Sequence, residues 1–171
     1  MPRTSQEEKN QRGMAGEFLV AAELNRRGIH AAVTYGSAKR ADVYAFATNS
    51  ERLARIEVKS TPMGSAKWVL GERVLDKQGW LNNVFWILVI LPEPHPASPT
   101  TTDEVRGKHA PRFYVYTSTE IGEHVLGLHE EYARKFKERH GRAFQGPGVV
   151  QLPTAHAAAF EDRWDKVESY F

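Results

Sequence analysis

The chain has no cysteine, and this absence excludes several kinds of chemistry. Disulfide bonds, thiolate–metal sites and cysteine nucleophiles all require a thiol. The sequence also has no apolar run long enough to span a bilayer, since the longest continuous one is Val84–Leu91. The opening residues, MPRTSQEEKNQRG, lack the apolar segment of a signal peptide. We therefore expect a cytoplasmic protein with no membrane partner.

A strong charge of one sign is also missing. The chain has 23 Lys and Arg residues against 21 Asp and Glu residues, which gives a net charge of only +2. A field that attracts nucleic acid over a long range is therefore not expected. Basic residues are concentrated locally, at Lys39-Arg40 and in the segment 134–142. A solvated helix face is the usual explanation for such runs, so charge alone does not identify a partner.

The order of apolar segments predicts an α/β fold. With 171 residues, the chain is large enough for one domain with a real core. We predict a flexible tail over residues 1–12, a single domain over 13–171, and a mobile proline-rich loop over 92–111. The order α-β-β-β-α-β-β-α predicts one mixed central sheet flanked by helices. The predicted elements are helix 13–27, strands 29–35, 41–47 and 52–60, helix 71–83, strands 84–91 and 112–117, and helices 121–139 and 156–170.

Glu17 is an acid among apolar neighbours on the first predicted helix. Helical spacing places it on one face with Val20, Ala21 and Leu24, which should face the core. A carboxylate on a buried face needs a partner or a metal, because its desolvation is costly. A slightly different helix register would place Glu17 beside the apolar face, where it reaches solvent. The sequence leaves these two readings open.

A hairpin between the second and third strands brings two acids together. If the polar stretch Thr48–Glu51 forms the turn, Ala47 pairs with Arg52, and the same register places Asp42 opposite Glu57. Carboxylates on directly opposite residues repel each other unless a cation lies between them. A bulge or a shifted turn would move Asp42 by one place.

The third strand has two chemically different faces. Side chains alternate along a strand, so Lys59 projects from the same face as Glu57. The other face has Ala54, Ile56 and Val58, which suits core packing. The sequence therefore predicts one apolar face and one face with an acid and a lysine.

The residues of this hairpin suit the hydrolysis of phosphodiester bonds. Oxygen ligands from Asp42 and Glu57, with the Val58 backbone carbonyl, match the preferences of Mg²⁺. Water and substrate oxygens would complete the coordination. A metal in this place activates water and stabilises charge on a phosphoryl group. Lys59 would neutralise developing negative charge and help to position the attacking water.

The same residues resemble a known family pattern. Glu17 in the first helix, Asp42 within KRADVYA, and Glu57-Val58-Lys59 within RIEVKS resemble the PD-(D/E)XK nuclease superfamily. The run 64–91, followed by PRFYVYTS, is similar to small uncharacterised members of that superfamily. One departure is Ala41, which stands where many members have a proline before the aspartate.

The resemblance implies a restriction-endonuclease-like core and a set of roles. Asp42 and Glu57 would bind the metal, Lys59 would be the catalytic lysine, and Glu17 would be a supporting acid. Gln78, expected on the helix after the third strand, would be an additional polar residue. The implied cofactor is Mg²⁺, for which Mn²⁺ can substitute. The implied partner is nucleic acid, expected to be DNA that is cleaved during restriction, repair or recombination. The resemblance also implies a homodimer, because cutting both strands commonly requires two active sites.

Two other functions stay open. A non-catalytic nucleic-acid-binding or assembly module could have the same fold. The modest net charge is consistent with such a module, in which the acidic residues would have structural roles. An RNA-directed nuclease would use the same site, because the metal contacts only the phosphodiester. Trp68 and Trp80 lie near basic residues and are candidates for base stacking, although core packing is the preferred interpretation.

Overall fold

The structure is a computed structural model that describes residues 5–36, 40–92, 110–145 and 150–171. Its centre is a five-stranded mixed sheet, flanked by helices as the sequence predicts. The helices are α1 (Gln6–Arg26), α2 (Ser118–His140) and α3 (Asp165–Glu168). The strands are β1 (His30–Val33), β2 (Val43–Phe46), β3 (Leu53–Pro62), β4 (Lys67–Val69), β5 (Val84–Leu91), β6 (Arg112–Thr117) and β7 (Gln151–Pro153).

The strand order in the main sheet is β1-β2-β3-β5-β6, and β4 pairs with β7 in a separate ribbon. Strands β1, β2 and β3 form an antiparallel meander. Strand β5 runs parallel to β3 and antiparallel to β6. The predicted strand 84–91 is confirmed as β5, and every residue of it is buried, as is typical of a central strand covered on both sides.

Two core layers cover the sheet, and we name its faces after the long helices in them. On the α1 face, Val20 and Leu24 of α1 pack with Trp164 against alternate residues of the strands. On the α2 face, α2 and the β4–β7 ribbon cover the other residues. Trp164 is buried just before α3 and anchors this segment to the sheet, since its ring packs edge-on against Phe113 at a centroid distance of 5.3 Å.

Helix α1 begins inside the segment that the sequence assigned to a flexible tail. Ser5 accepts a hydrogen bond from the Glu8 backbone, and the Glu8 carboxylate accepts one from the Ser5 backbone. This reciprocal cap satisfies backbone amides that would otherwise lack partners, so the helix starts at Gln6 rather than at residue 13. The predicted end of the helix is confirmed to within one residue, and Gly28 adopts a left-handed φ of +79° just after it.

The predicted helix over 71–83 is wrong. The segment forms two short 3₁₀ turns, Glu72–Leu75 and Lys77–Gly79, and strand β4 precedes them. Asp76 lies between the two turns with extended backbone, and its side chain accepts a hydrogen bond from the Gln78 amide. Such local side-chain bonds compete with a continuous helix.

The predicted helix over 156–170 is also wrong. The structure has 3₁₀ turns at Thr154–His156 and Ala158–Phe160, and a regular helix only at α3. Glu161 is held in a bridge beside Tyr114 and forms a two-bond ion pair with Arg112, the shorter contact being 2.7 Å. These tertiary contacts hold the backbone extended where a long helix would pass.

Two further expectations concern the predicted mobile loop and the absence of a membrane span. Residues 93–109, most of the predicted mobile loop, lie outside the described residues. Among the residues that are described, no helix has the length and apolar character needed to cross a membrane.

Glycine is required at one position of α2. A Cβ atom at Gly122 would lie 2.2 Å from the ring of Trp80, whereas one at Gly127 would meet nothing within 4 Å. We expect Gly122→Ala to lower the free energy of unfolding by about 1–3 kcal/mol, because overpacking a filled site is destabilising. Gly127→Ala should raise it by up to about 1 kcal/mol through helix propensity. Chemical denaturation of both variants measures the difference, and equal effects would show that the Trp80 contact is unimportant.

His124 is expected to make the stability depend on pH. Burial lowers the pKa of this imidazole, and the charge of nearby His156 lowers it further. The unfolded chain therefore binds a proton at a higher pH than the folded chain does. We expect the stability to fall as the pH drops from about 7 to about 5, and His124→Gln to reduce this dependence. Denaturation midpoints across this range test the expectation, with exposed His140→Gln as the matched control; an unchanged slope in His124→Gln would refute it.

Candidate functional site

Asp42 is buried immediately before β2 and is tied to both neighbouring strands. Its side chain is largely covered, with the residue 8% exposed, and its Oδ2 accepts a hydrogen bond of 2.8 Å from the Val58 amide. Its own backbone amide donates to the Ile56 carbonyl, and its carbonyl accepts from the Thr34 amide, both at 3.0 Å. Backbone groups of β3 and of Thr34, which follows β1, therefore fix the position of Asp42 and its carboxylate.

The predicted register of the hairpin is confirmed along β2. The four paired positions are Val43–Ile56, Tyr44–Arg55, Ala45–Ala54 and Phe46–Leu53. At Asp42 the register shifts by one place: its backbone amide donates to the carbonyl of Ile56, the residue already paired with Val43, so Asp42 does not lie directly opposite Glu57 as a regular hairpin would place it. Asp42 bonds to Ile56 and Val58, which are the residues on either side of Glu57. The structure therefore brings Asp42 to the part of β3 that contains Glu57.

Glu57 and Lys59 lie on the α2 face of β3. Ala54, Ile56 and Val58 belong to the core on the α1 face, so the alternate residues point the other way, as predicted. Only 16% of the Glu57 side chain is exposed, and Arg73 Nη1 lies 4.0 Å from its Oε1. Because Arg73 is mostly in solvent, this ion pair contributes only about 0–1 kcal/mol.

The Val58 carbonyl points to the same edge of β3 as the Asp42 carboxylate. In a strand, the N–H and C=O groups of one residue point to the same side, and the Val58 amide donates to Asp42. Together with the carboxylate of the adjacent residue Glu57, these groups would make up an oxygen-only donor set. Such a set fits Mg²⁺, which binds to one or two carboxylates and retains several waters.

A larger cluster of metal-binding side chains is not present in the described part of the chain. No three His, Cys, Asp or Glu residues there are grouped so that they could hold a metal ion. A metal at this site would therefore depend on Asp42, Glu57 and the Val58 carbonyl, with water and substrate as the other ligands. The histidines provide no alternative centre among these residues.

Glu17 approaches the same strand from the other side. Val20, Ala21 and Leu24 are buried as predicted, and Glu17 is half-buried at the rim of their stripe. The adjacent Gly16 lies against Ser60, where a Cβ atom would come within 1.8 Å of the hydroxyl oxygen. Helix α1 thus packs on the face opposite Glu57 and Lys59, near the end of β3. A supporting role for Glu17 requires its side chain to reach around this edge, and that role stays a prediction.

The remaining sequence candidates have mainly structural positions. Gln78 is exposed on a 3₁₀ turn rather than on a helix. Trp68 is buried and donates to the Val89 carbonyl, and Trp80 donates to the Val74 carbonyl. Both indoles are therefore held in packing positions. Within the segment 134–142, Arg134 pairs with Glu138, as expected for a solvated helix face.

Three arginines beside Glu57 were missed by the sequence reasoning. Arg40, Arg55 and Arg73 line a cavity of about 140 Å³ that also includes Glu57. The spacing of Arg55 and Glu57 could have revealed that these two side chains share a face. Nothing local could have revealed Arg73, because it reaches the cavity from the connection between β3 and β5.

No protein-family model, curated protein or solved structure matches this chain. The interpretation of the site therefore depends on its residues and their geometry. The decisive features are the Asp42–Val58 hydrogen bond, the register of the hairpin and the positions of Glu57 and Lys59 on one face.

The structural part of the Asp42 role can be measured separately. Asp42→Ala removes the acceptor of the Val58 amide and leaves a buried donor unpaired, so we expect a loss of about 1–3 kcal/mol in unfolding free energy. Asp42→Asn retains an acceptor oxygen and should lose less. Chemical denaturation of both variants provides the comparison. Equal losses would indicate that the negative charge, rather than the hydrogen bond, stabilises the fold.

Proposed function

We propose that this protein is a Mg²⁺-dependent endonuclease that hydrolyses phosphodiester bonds, with DNA as its substrate. The observation that carries the proposal is the hydrogen bond from the Val58 amide to Asp42, which brings the Asp42 carboxylate beside the Glu57-Val58-Lys59 segment. The ordered combination of Asp42 with Glu57 and Lys59 is also what resembles the PD-(D/E)XK superfamily. The hydrogen bond and the residue pattern together support a metal-dependent phosphodiesterase site more directly than they support DNA as its substrate.

The topology is compatible with a restriction-endonuclease-like core but differs from the expected element order. The antiparallel β1–β2–β3 meander followed by parallel β5 agrees with the proposal. The connection from β3 to β5, however, contains β4 and two 3₁₀ turns rather than a helix. The likeness to the superfamily thus depends on the hairpin and the central strands.

Each residue of the site has a defined task in this proposal. Asp42 and Glu57 would hold the metal together with the Val58 carbonyl, and the Val58 amide fixes the orientation of Asp42. When bound, Mg²⁺ supplies an activated water and stabilises charge on the phosphate oxygens. Lys59 donates hydrogen bonds to the attacking water and neutralises charge that develops on the phosphoryl group. Glu17 supports the site from the edge of β3.

DNA is proposed from the resemblance, since the site itself would contact only the phosphodiester. A homodimer follows from the same reasoning for cuts in both strands. RNA therefore belongs among the test substrates, and its exclusive cleavage would replace DNA in the proposal while leaving the site chemistry intact.

The activity can be tested on plasmid, four-way-junction and flap DNA and on RNA, with Mg²⁺, Mn²⁺ or EDTA. We expect metal-dependent cleavage and a loss of about 10²–10³-fold in rate for Lys59→Ala, as is typical when one donor to the transition state is removed. Lys67→Ala, an exposed lysine on β4, is the matched control and should cleave like the wild type. The proposal fails if no substrate is cleaved, or if Lys59→Ala cleaves as fast as the wild type.

A non-catalytic nucleic-acid-binding module is the second candidate, and one observation favours it. Asp42 already binds the Val58 amide, and Glu57 already faces Arg73, so both acids have structural contacts. This candidate predicts salt-dependent DNA binding without metal dependence. Calorimetry separates the two functions: Mn²⁺ binding that is lost in Asp42→Asn supports the nuclease, and absence of Mn²⁺ binding supports the module.

A further inference from the structure

A small, positively charged pocket adjoins Glu57 on the α2 face. It lies between β3 and the two 3₁₀ turns, and its volume is about 140 Å³. Arg40, Arg55 and Arg73 provide its cationic groups, and Trp80 and Trp86 form part of its walls. A water molecule occupies roughly 30 Å³ of liquid, and pockets for drug-sized ligands begin near 300 Å³. The pocket is therefore of a size for one small polar group rather than for a whole nucleoside or cofactor.

Arg55 gives the strongest sign that a ligand is expected. Its Nε atom is buried and has no hydrogen-bond partner, and its guanidinium forms no ion pair in the described part of the chain. A buried donor without an acceptor is costly, and most such donors in proteins are paired. The side chain projects from β3 on the same face as Glu57, two residues away. An anionic acceptor in the pocket would satisfy this donor.

The other charged groups around the pocket leave a positive excess. Its acids are Glu57 and Asp76, against three arginines. Asp76 is engaged with the Gln78 amide, and the contact of Arg73 with Glu57 is long, at 4.0 Å. The planar guanidinium group matches the oxygens of a phosphate in a two-bond arrangement, and the apolar walls strengthen the attraction.

We propose that Arg40, Arg55 and Arg73 bind a backbone phosphate of the nucleic acid, adjacent to the phosphate that is cleaved. The proposal rests on the proposed function in one respect, because Glu57 belongs both to this pocket and to the metal site. The pocket would hold one strand in register while Asp42, Glu57 and Lys59 act on the neighbouring bond. Arg55 is the central group, since it alone combines a buried unpaired donor with a place on the catalytic strand.

Binding in EDTA tests the pocket without cleavage. Fluorescence anisotropy with a labelled duplex and a labelled single strand would measure affinity as a function of salt for wild type, Arg55→Gln and Arg73→Gln. Each variant should weaken binding by about tenfold or more. Each should also reduce the slope of log affinity against log salt by about 0.7–0.9, the loss of one phosphate contact. Arg163→Gln is the matched control, since Arg163 is exposed and pairs with Asp165 away from the pocket, and it should retain the wild-type slope.

The possible outcomes distinguish a failure of the phosphate-binding proposal from a failure of the nuclease proposal. Arg73 is 79% exposed, so Arg73→Gln should fold even if Arg55→Gln does not. Weakened binding in the pocket variants, without cleavage by the wild type, supports the phosphate site and refutes the enzyme. Wild-type affinity and salt slope in Arg73→Gln and in folded Arg55→Gln overturn the phosphate site, whether or not the wild type cleaves. Failure of the wild type to bind either nucleic acid overturns it as well.

Discussion

Strand β3 is hydrogen-bonded to β2 on one edge and to β5 on the other, and this double pairing determines where the candidate functional groups lie. A strand held on both edges cannot rotate about its axis, so its side chains alternate between two fixed faces. One face is buried beneath α1 through Ala54, Ile56 and Val58. The other presents Arg55, Glu57 and Lys59 in a row. The core on one face thus enforces the array of charges on the other.

The start of β2 determines the geometry of the candidate site. Strand β2 begins at Val43, opposite Ile56, whereas β3 continues beyond Ile56 to Pro62. Beyond this point, the Asp42 carboxylate rather than another backbone carbonyl receives the Val58 amide. The carboxylate consequently combines two uses: it completes the hydrogen bonding of a strand, and it places negative charge at the same edge as the Val58 carbonyl. A nuclease and a binding module with the same fold would both need the hydrogen bond that completes the strand. Only the nuclease would need the negative charge beside the Val58 carbonyl.

The hairpin and the central strand could be predicted from the sequence because their signals are local. The polar turn at Thr48–Glu51 sets the register, and the continuous apolar run of β5 shows burial on both sides. The start of α1 was missed although its signal is also local, in the cap formed by Ser5 and Glu8. The C-terminal segment is different, because Arg112 holds Glu161 extended from a strand far away in the chain. No local pattern predicts such a contact.

The sequence by itself determined which residues share a face of β3, since alternation depends only on the geometry of one strand. It also determined the pairing of β2 with β3, because a short turn leaves few possible registers. The tertiary structure decided the rest. It placed Glu17 on the face opposite Glu57, and it brought Arg40 and Arg73 to Arg55 from separate connections. These positions depend on how helices and turns pack on the sheet, and that packing is set by the whole core rather than by neighbouring residues.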